Sequence, residues 1–172
     1  APEGLLDSYQ AERQPIGARI LDWSRAQVAL MKPAPAAQAL YAIVRDLMAT
    51  RDGATYMAGR AWGIHTRYDL GGQHPLVGYS VPNFEFGDGT TIGERMRDGQ
   101  GILLDFDRNV ALQAFAEEHG GRILYIAGRA KEQLGASALL VRPDGIVAWA
   151  MDDAADHGEL QEAAARWSVG AR

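Results

Sequence analysis

The sequence predicts an α/β protein in two parts: a helical N-terminal segment, then a mixed central sheet flanked by helices. Three observations carry that expectation. Through residue 63, apolar side chains recur at three- and four-residue steps, the spacing of amphipathic helices. Beyond it the pattern changes to short continuous apolar runs, of which GILLDF (101–106) is the clearest, as expected of strands buried on both faces. Two later runs flank Arg142-Pro143-Asp144-Gly145, whose Pro, Asp and Gly occupy favoured turn positions and mark a hairpin.

The first helix opens on LLDSYQAERQPIGARIL (5–21), with Leu6, Tyr9, Ile16, Ile20 and Trp23 near one stripe. Pro15 has no amide proton for the Ala11 carbonyl, so the sequence predicts a kink there, or two helices meeting, the second over Ile16–Met31. Lys32-Pro33-Ala34-Pro35 is a stop. A second helix is expected over Ala36–Arg51, with Leu40, Ile43, Val44 and Leu47 as its apolar face. Asp52-Gly53 reads as a turn and Thr55–Gly63 as a short third helix. Ile64–Tyr68 is strand-like, and Asp69–Gly78 is a glycine-rich loop containing His74-Pro75.

From Tyr79 the elements are shorter. Phe84 and Phe86 alternate with polar neighbours, Gly87-Asp88-Gly89 is a turn, and Ile92–Arg97 suits a short helix. GILLDF is the expected central strand. Val110–His119 is a helix closed by Gly120-Gly121, and Arg122–Ile126 a second buried strand. Ala136–Val141 and Ile146–Ala150 form the hairpin, and Gly158–Trp167 the last helix. Buried strands joined by a helical crossover and finished by a hairpin and helix make the thioredoxin-like arrangement. The expected organisation is therefore a helical part (1–63), a linker (64–78) and a thioredoxin-like domain (79–172).

Composition narrows the chemistry. With 17 Lys+Arg against 22 Asp+Glu, the net charge is −5, and no basic stripe exists to neutralise the phosphates of a nucleic acid. The longest apolar runs are far shorter than a membrane span, and early charges (Glu3, Asp7, Glu12, Arg13) break any signal-peptide pattern, so a cytoplasmic location is expected. There is no cysteine, which removes disulfides, thiolate metal sites and thiol redox chemistry. A thioredoxin-like redox site would fall just after GILLDF, at Asp107, Arg108, Asn109 and Val110, and these residues carry no thiol.

The remaining motifs read as structural. GDGTTIG (Gly87, Gly89, Gly93) misses a dinucleotide fingerprint by one residue and is better explained as a turn. Ser137 in GASAL leads into a strand rather than a helix, so it is not a nucleophile elbow. Asp105 and Asp107 bracket Phe106 on one side of a strand and could hold a metal, but Asp107 is better placed to cap the next helix. His65 and His74 have no third ligand at metal-binding spacing. The expectation is no catalytic, cofactor-binding or metal-binding residue in this chain.

The opening stretch, with its pattern LLD-x-Y-x-x-ER-x-P (Leu5, Leu6, Asp7, Tyr9, Glu12, Arg13, Pro15), resembles a segment of the FAD-dependent aromatic hydroxylases, group A flavoprotein monooxygenases. HPLVG (74–78) preceded by Tyr68-Asp69, then Val81-Pro82-Asn83, LLDF (103–106) and VRPDGIVAWA (141–150) continue the resemblance in order along the chain. The similarity is to the branch acting on aromatic polyketides and related phenols, which includes rifampicin monooxygenases. It implies that residues 1–63 are the helical tail of a flavin-binding region. It also implies FAD, NAD(P)H and O₂ as the family's cofactors, with hydroxylation performed through a flavin hydroperoxide.

The same resemblance implies that the family's GxGxxG fingerprint and its later Gly-Asp flavin motif would lie upstream of Ala1. The chain is then expected to be a C-terminal fragment or half of a split enzyme, binding no cofactor alone. Its partner would be an FAD-binding domain, in the same polypeptide or as a separate chain. Leu6, Tyr9, Arg13, Ile16, Ile20 and Trp23 are the expected contact residues, and a homo-oligomer is open. The alternative is a free-standing adaptor or binding module on a thioredoxin-like scaffold.

Overall fold

The computed structural model describes residues 5–152 and 157–167; the side chains of Leu5, Leu6 and His157 lie outside the description. The fold is α/β, and the chain divides between Thr66 and Arg67 into two compact units.

The helical unit holds α1 (Leu5–Leu30), α2 (Pro35–Met48) and α3 (Arg51–Ala61). α1 is one helix with Pro15 inside it, rather than two helices meeting at the proline. Proline forfeits one amide donor, and the good helix formers around it (Ala11, Glu12, Arg13, then Ala18 and Arg19) sustain the turns on either side. Pro35 starts α2, where its missing amide proton is no loss. α2 stops at Met48, earlier than its periodicity suggests, because Thr50 caps the next helix. Its hydroxyl accepts the Gly53 amide at 3.1 Å and donates to the Leu47 carbonyl at 2.7 Å. Asp52-Gly53 therefore lies in the first turn of α3 instead of forming a turn of its own. A Cβ at Gly53 would stand 1.9 Å from the Leu47 carbonyl oxygen, so only glycine permits that approach.

The strand-like Ile64–Tyr68 is not a strand. Residues 62–65 are a turn, with Gly63 at φ +73°, which an extended chain cannot accommodate. In the C-terminal unit, the following segment is fastened down at several points. Tyr68 donates its amide to the Gly78 carbonyl and Gly78 donates to Val147, both at 2.9 Å. The Arg166 guanidinium reaches the Leu70 carbonyl at 3.0 Å.

The C-terminal unit is built on a four-stranded mixed sheet of order β2-β1-β3-β4. β1 (Gly101–Asp105) pairs parallel with β2 (Ile123–Ala127) across α5 (Val110–Glu118). On its other side it pairs antiparallel with β3 (Ala138–Val141), which forms a hairpin with β4 (Val147–Met151). All five residues of β1 are buried, as its continuous apolar run requires. β2 differs from the expectation of a second buried strand: it is the sheet edge, and Leu124 and Ala127 are exposed. In the hairpin turn Arg142 donates to Ile146 and Gly145 to Arg142, both at 2.9 Å, with Gly145 at φ +84°.

Helices α5 and α6 (His157–Trp167) cover one sheet face. Leu103, Leu112, Phe115, Leu140, Trp149 and Leu160 form the core there. Ile102 and Leu104 alternate to the opposite face and are also fully buried. Near that face Phe84 meets Phe106 edge-on, with ring centroids 5.4 Å apart. The short α4 (Ile92–Arg95) carries a capping box between Thr91 and Glu94.

Candidate functional site

Among the described residues of the helical unit, Gly59 alone is buried. No residue of α2 is buried, although its apolar residues fall on one face. Leu40, Ile43 and Leu47 are each more than half exposed, and Trp62, just past α3, is 78 % exposed. Burying one such side chain contributes roughly 1.5–3 kcal/mol, so this unit leaves much stabilisation unrealised. Contiguous exposed apolar surface on this scale marks an interaction face.

Of the six expected contact residues, three meet in one groove. Ile16, Ile20 and Trp23 of α1 line a cleft of about 430 Å³ together with Tyr56, Arg60 and Trp62. Arg60 lines that cleft with its guanidinium 5.5 Å from the Trp23 ring and 5.1 Å from the Tyr56 ring. Tyr9 and Arg13 are not part of it; they stack on each other at 5.7 Å, and Tyr9 is largely exposed. Leu6 lies outside the described side chains. Sequence reasoning missed Tyr56 and Arg60. Their four-residue spacing places them on one helix face, but their meeting with Trp23 is a tertiary fact.

In the C-terminal unit, a carboxylate clamp holds the loop that follows β1, residues 107–109. Asp105 closes β1 with only 1 % of its surface exposed. Its Oδ1 accepts the Asp107 amide at 3.0 Å, and its Oδ2 accepts the Asn109 amide at 2.6 Å and the Tyr125 hydroxyl at 2.7 Å. Three donors on one buried carboxylate hold the loop in which Arg108 adopts φ +60°. Asp107 is exposed and does not share the site of Asp105. Nor does it cap α5: Asn109 does so, accepting the Ala111 amide at 2.9 Å. Burial, then the hydrogen bond to Asp105 and its charge, push the Tyr125 phenol well above the ordinary tyrosine range. A neutral phenol locked onto an acceptor is a structural fastening, not a reactive acid.

The other motifs also resolve into local structure. In GDGTTIG the Asp88 carboxylate accepts the Thr90 amide at 3.0 Å and hydroxyl at 2.6 Å, and Arg95 reaches it at 2.6 Å. The glycines thus build an Asx turn into a four-residue helix, and no phosphate cradle forms there. Ser137 is buried and donates to the Met151 carbonyl at 3.2 Å, within the hairpin. His74 places Nε2 2.8 Å from Asp152 and accepts the Leu76 amide on Nδ1 at 3.1 Å, while His65 belongs to the helical unit. Among the described residues no group of three or more His, Asp or Glu could hold a metal ion. The described part of the chain offers no helix long and apolar enough to cross a membrane.

Residues 74–171 match the family described as aromatic-ring hydroxylase, C-terminal. A monooxygenase of Claviceps purpurea is 43 % identical over 98 % of this chain and 34 % of its own length. Rifampicin monooxygenase of Streptomyces venezuelae is 35 % identical over 89 % of the chain and 31 % of its own. The solved structure of the anhydrotetracycline hydroxylase OxyS from Streptomyces rimosus superposes with a TM-score of 0.87 at 32 % identity, covering 97 % of this chain and 36 % of that one. The chain thus spans about a third of the length of the curated relatives it matches.

Proposed function

The chain belongs to the aromatic-ring hydroxylases by their C-terminal domain, and from that premise we propose that it is the C-terminal portion of an FAD-dependent monooxygenase. The substrate class of such an enzyme is an aromatic polyketide or related phenol, hydroxylated with NAD(P)H and O₂ in the cytoplasm. The chemistry resides in a flavin held by the remaining two-thirds of the relatives' length, and this chain supplies structure.

The observation that carries the reading is the exposed apolar surface of the helical unit. α1 and α2 present Ile20, Leu40, Ile43 and Leu47 outward, Trp62 just past α3 does the same, and a flavin-binding domain is the natural cover for them. In this reading Leu6, Tyr9, Arg13, Ile16, Ile20 and Trp23 lie against that domain, residues 1–63 are its helical tail, 64–78 the linker, and 79–172 the thioredoxin-like part. The parallel crossover followed by a hairpin and a helix supports that last assignment. The adaptor alternative draws on one observation, the closed core of the sheet unit.

Titration of the purified chain with FAD and NADPH tests the proposal. We expect no flavin bound and no NADPH oxidised. FAD bound one-to-one by residues 1–172 alone overturns it.

A further inference from the structure

We propose that the groove of the helical unit receives a carboxylate side chain of the domain that covers it, with Arg60 as the receptor. The inference rests on the reading above, that a flavin-binding domain is the cover. The groove lies wholly within the helical unit and measures about 430 Å³.

Arg60 cannot stay in water once its neighbours are covered. Arg19, Ile20 and Trp23 reach the groove from α1, and Tyr56 and Arg60, one turn apart, from α3. Ile20 and Trp62 line the same groove and are each more than half exposed. A domain that takes those two side chains out of water therefore covers Arg60 as well.

The surroundings of Arg60 fix what the cover must bring. The rings of Trp23 and Tyr56 attract its charge, at 5.5 and 5.1 Å. Among the described residues its side chain makes no hydrogen bond or ion pair, so the N–H donors of the guanidinium are left to water. Covering replaces that water with protein, and the donors then need acceptors. The charge needs balancing too. No Asp or Glu lines the groove, and Arg19 adds a second guanidinium. Asp22, one turn along α1 from Arg19, bonds Arg25 instead at 2.8 Å. A carboxylate meets both needs, offering two oxygens to the planar fork while balancing its charge. A backbone carbonyl would satisfy a donor and leave the charge buried.

The test uses the intact gene product that contains this chain. Arg60→Lys places an amine at the same point, and a water-soluble carbodiimide joins amines to carboxylates in contact with them. We expect peptide mass spectrometry to find position 60 linked to an Asp or Glu outside residues 1–172. In a second arm, Arg60→Gln should lower the melting temperature of the intact protein more than that of residues 1–172 alone, because only the former holds the partner carboxylate. A link to an acid within residues 1–172, no link at position 60, or equal melting shifts each overturn the proposal. Flavin absorbance of the unaltered gene product separates the two readings. With FAD bound and no link, the groove assignment falls alone; with neither, both fall.

Discussion

The Tyr125 hydroxyl donates to Asp105 Oδ2 at 2.7 Å, so a side chain of the edge strand fastens the buried carboxylate that ends the central one. Asp105→Ala leaves the Asp107 and Asn109 amides without their acceptor and should cost about 3 kcal/mol. Tyr125→Phe removes one hydrogen bond to a charged group and should cost about 1.5–3 kcal/mol. Urea unfolding followed at the buried Trp149 measures both. The pH dependence has a definite sign. The folded phenol titrates above its unfolded value, so its contribution is complete below about pH 10 and fades as pH rises through the folded value. Tyr125→Phe should remove that alkaline loss.

The loop after β1 separates two neighbouring side chains by role. Asn109 caps α5, so Asn109→Ala should destabilise the C-terminal unit by about 1 kcal/mol. Asp107 is exposed and does not cap, so Asp107→Ala should stay within about 0.5 kcal/mol of the unaltered chain. Equal losses in the two variants would contradict this assignment.

How far the sequence discloses the fold depends on whether the deciding contact is local. GILLDF announces a central strand because burial on both faces leaves an unbroken apolar run. The RPDG turn is equally legible, being encoded by its own four residues. Arg122–Ile126 reads as a buried strand too, but edge position is settled by which strands pair, and no residue of β2 states that. Asp52-Gly53 resembles a turn until Thr50 is seen capping the helix that contains it. The sequence puts Asp105 and Asp107 on one side of a strand and favours Asp107 as the cap; the Tyr125 hydroxyl, twenty residues away, and two loop amides mark Asp105 as the buried carboxylate. In the helical groove Ile16, Ile20 and Trp23 are visible as a stripe, whereas Arg60 between two aromatic rings requires the third helix to be in place.

Gly53 sits where α3 begins against the end of α2. Alanine is the better helix former by about 1 kcal/mol, yet its Cβ would stand 1.9 Å from the Leu47 carbonyl oxygen. Backbone must move, and overpacking of that kind costs about 1–3 kcal/mol. Gly53→Ala should therefore lower the melting temperature of the helical unit, read by circular dichroism at the helix band. A Cβ at Gly59 meets the His65 ring instead, a side chain that can turn aside, so Gly59→Ala should cost less. A stabilised Gly53→Ala chain would refute the close approach.

The turn into α4 should respond to acid. The hydroxyl and amide of Thr90 hold Asp88 below the ordinary carboxylate range, and the amide and hydroxyl of Thr91 do the same for Glu94. A lowered folded value means that stabilisation is present above the unfolded range, about pH 4, and is lost as pH falls through the folded value. Carboxyl NMR titration should find both groups titrating below the free-residue range, and Thr90→Val should move Asp88 back toward it. Ordinary values for both would disprove the capping arrangement.

The apolar face of α2 gives the last prediction. Leu40, Ile43 and Leu47 recur at three- and four-residue steps and are each more than half exposed, so water meets a continuous strip rather than scattered side chains. Without a covering domain, the cheapest way to remove that strip from water is a second copy of the same helix. The purified chain should therefore exceed its 18.6 kDa mass in sedimentation equilibrium, increasingly so with concentration. Ile43→Glu with Leu47→Glu keeps good helix formers in α2 while placing charge on the strip, and should return the chain to monomer. A flavin-binding domain that covers the same strip should bind the unaltered chain and not the double variant. Since the core of the C-terminal unit is built from that unit's own residues, its unfolding should be unchanged, which separates lost docking from lost folding. A monomeric unaltered chain at high concentration would show that this strip does not drive association.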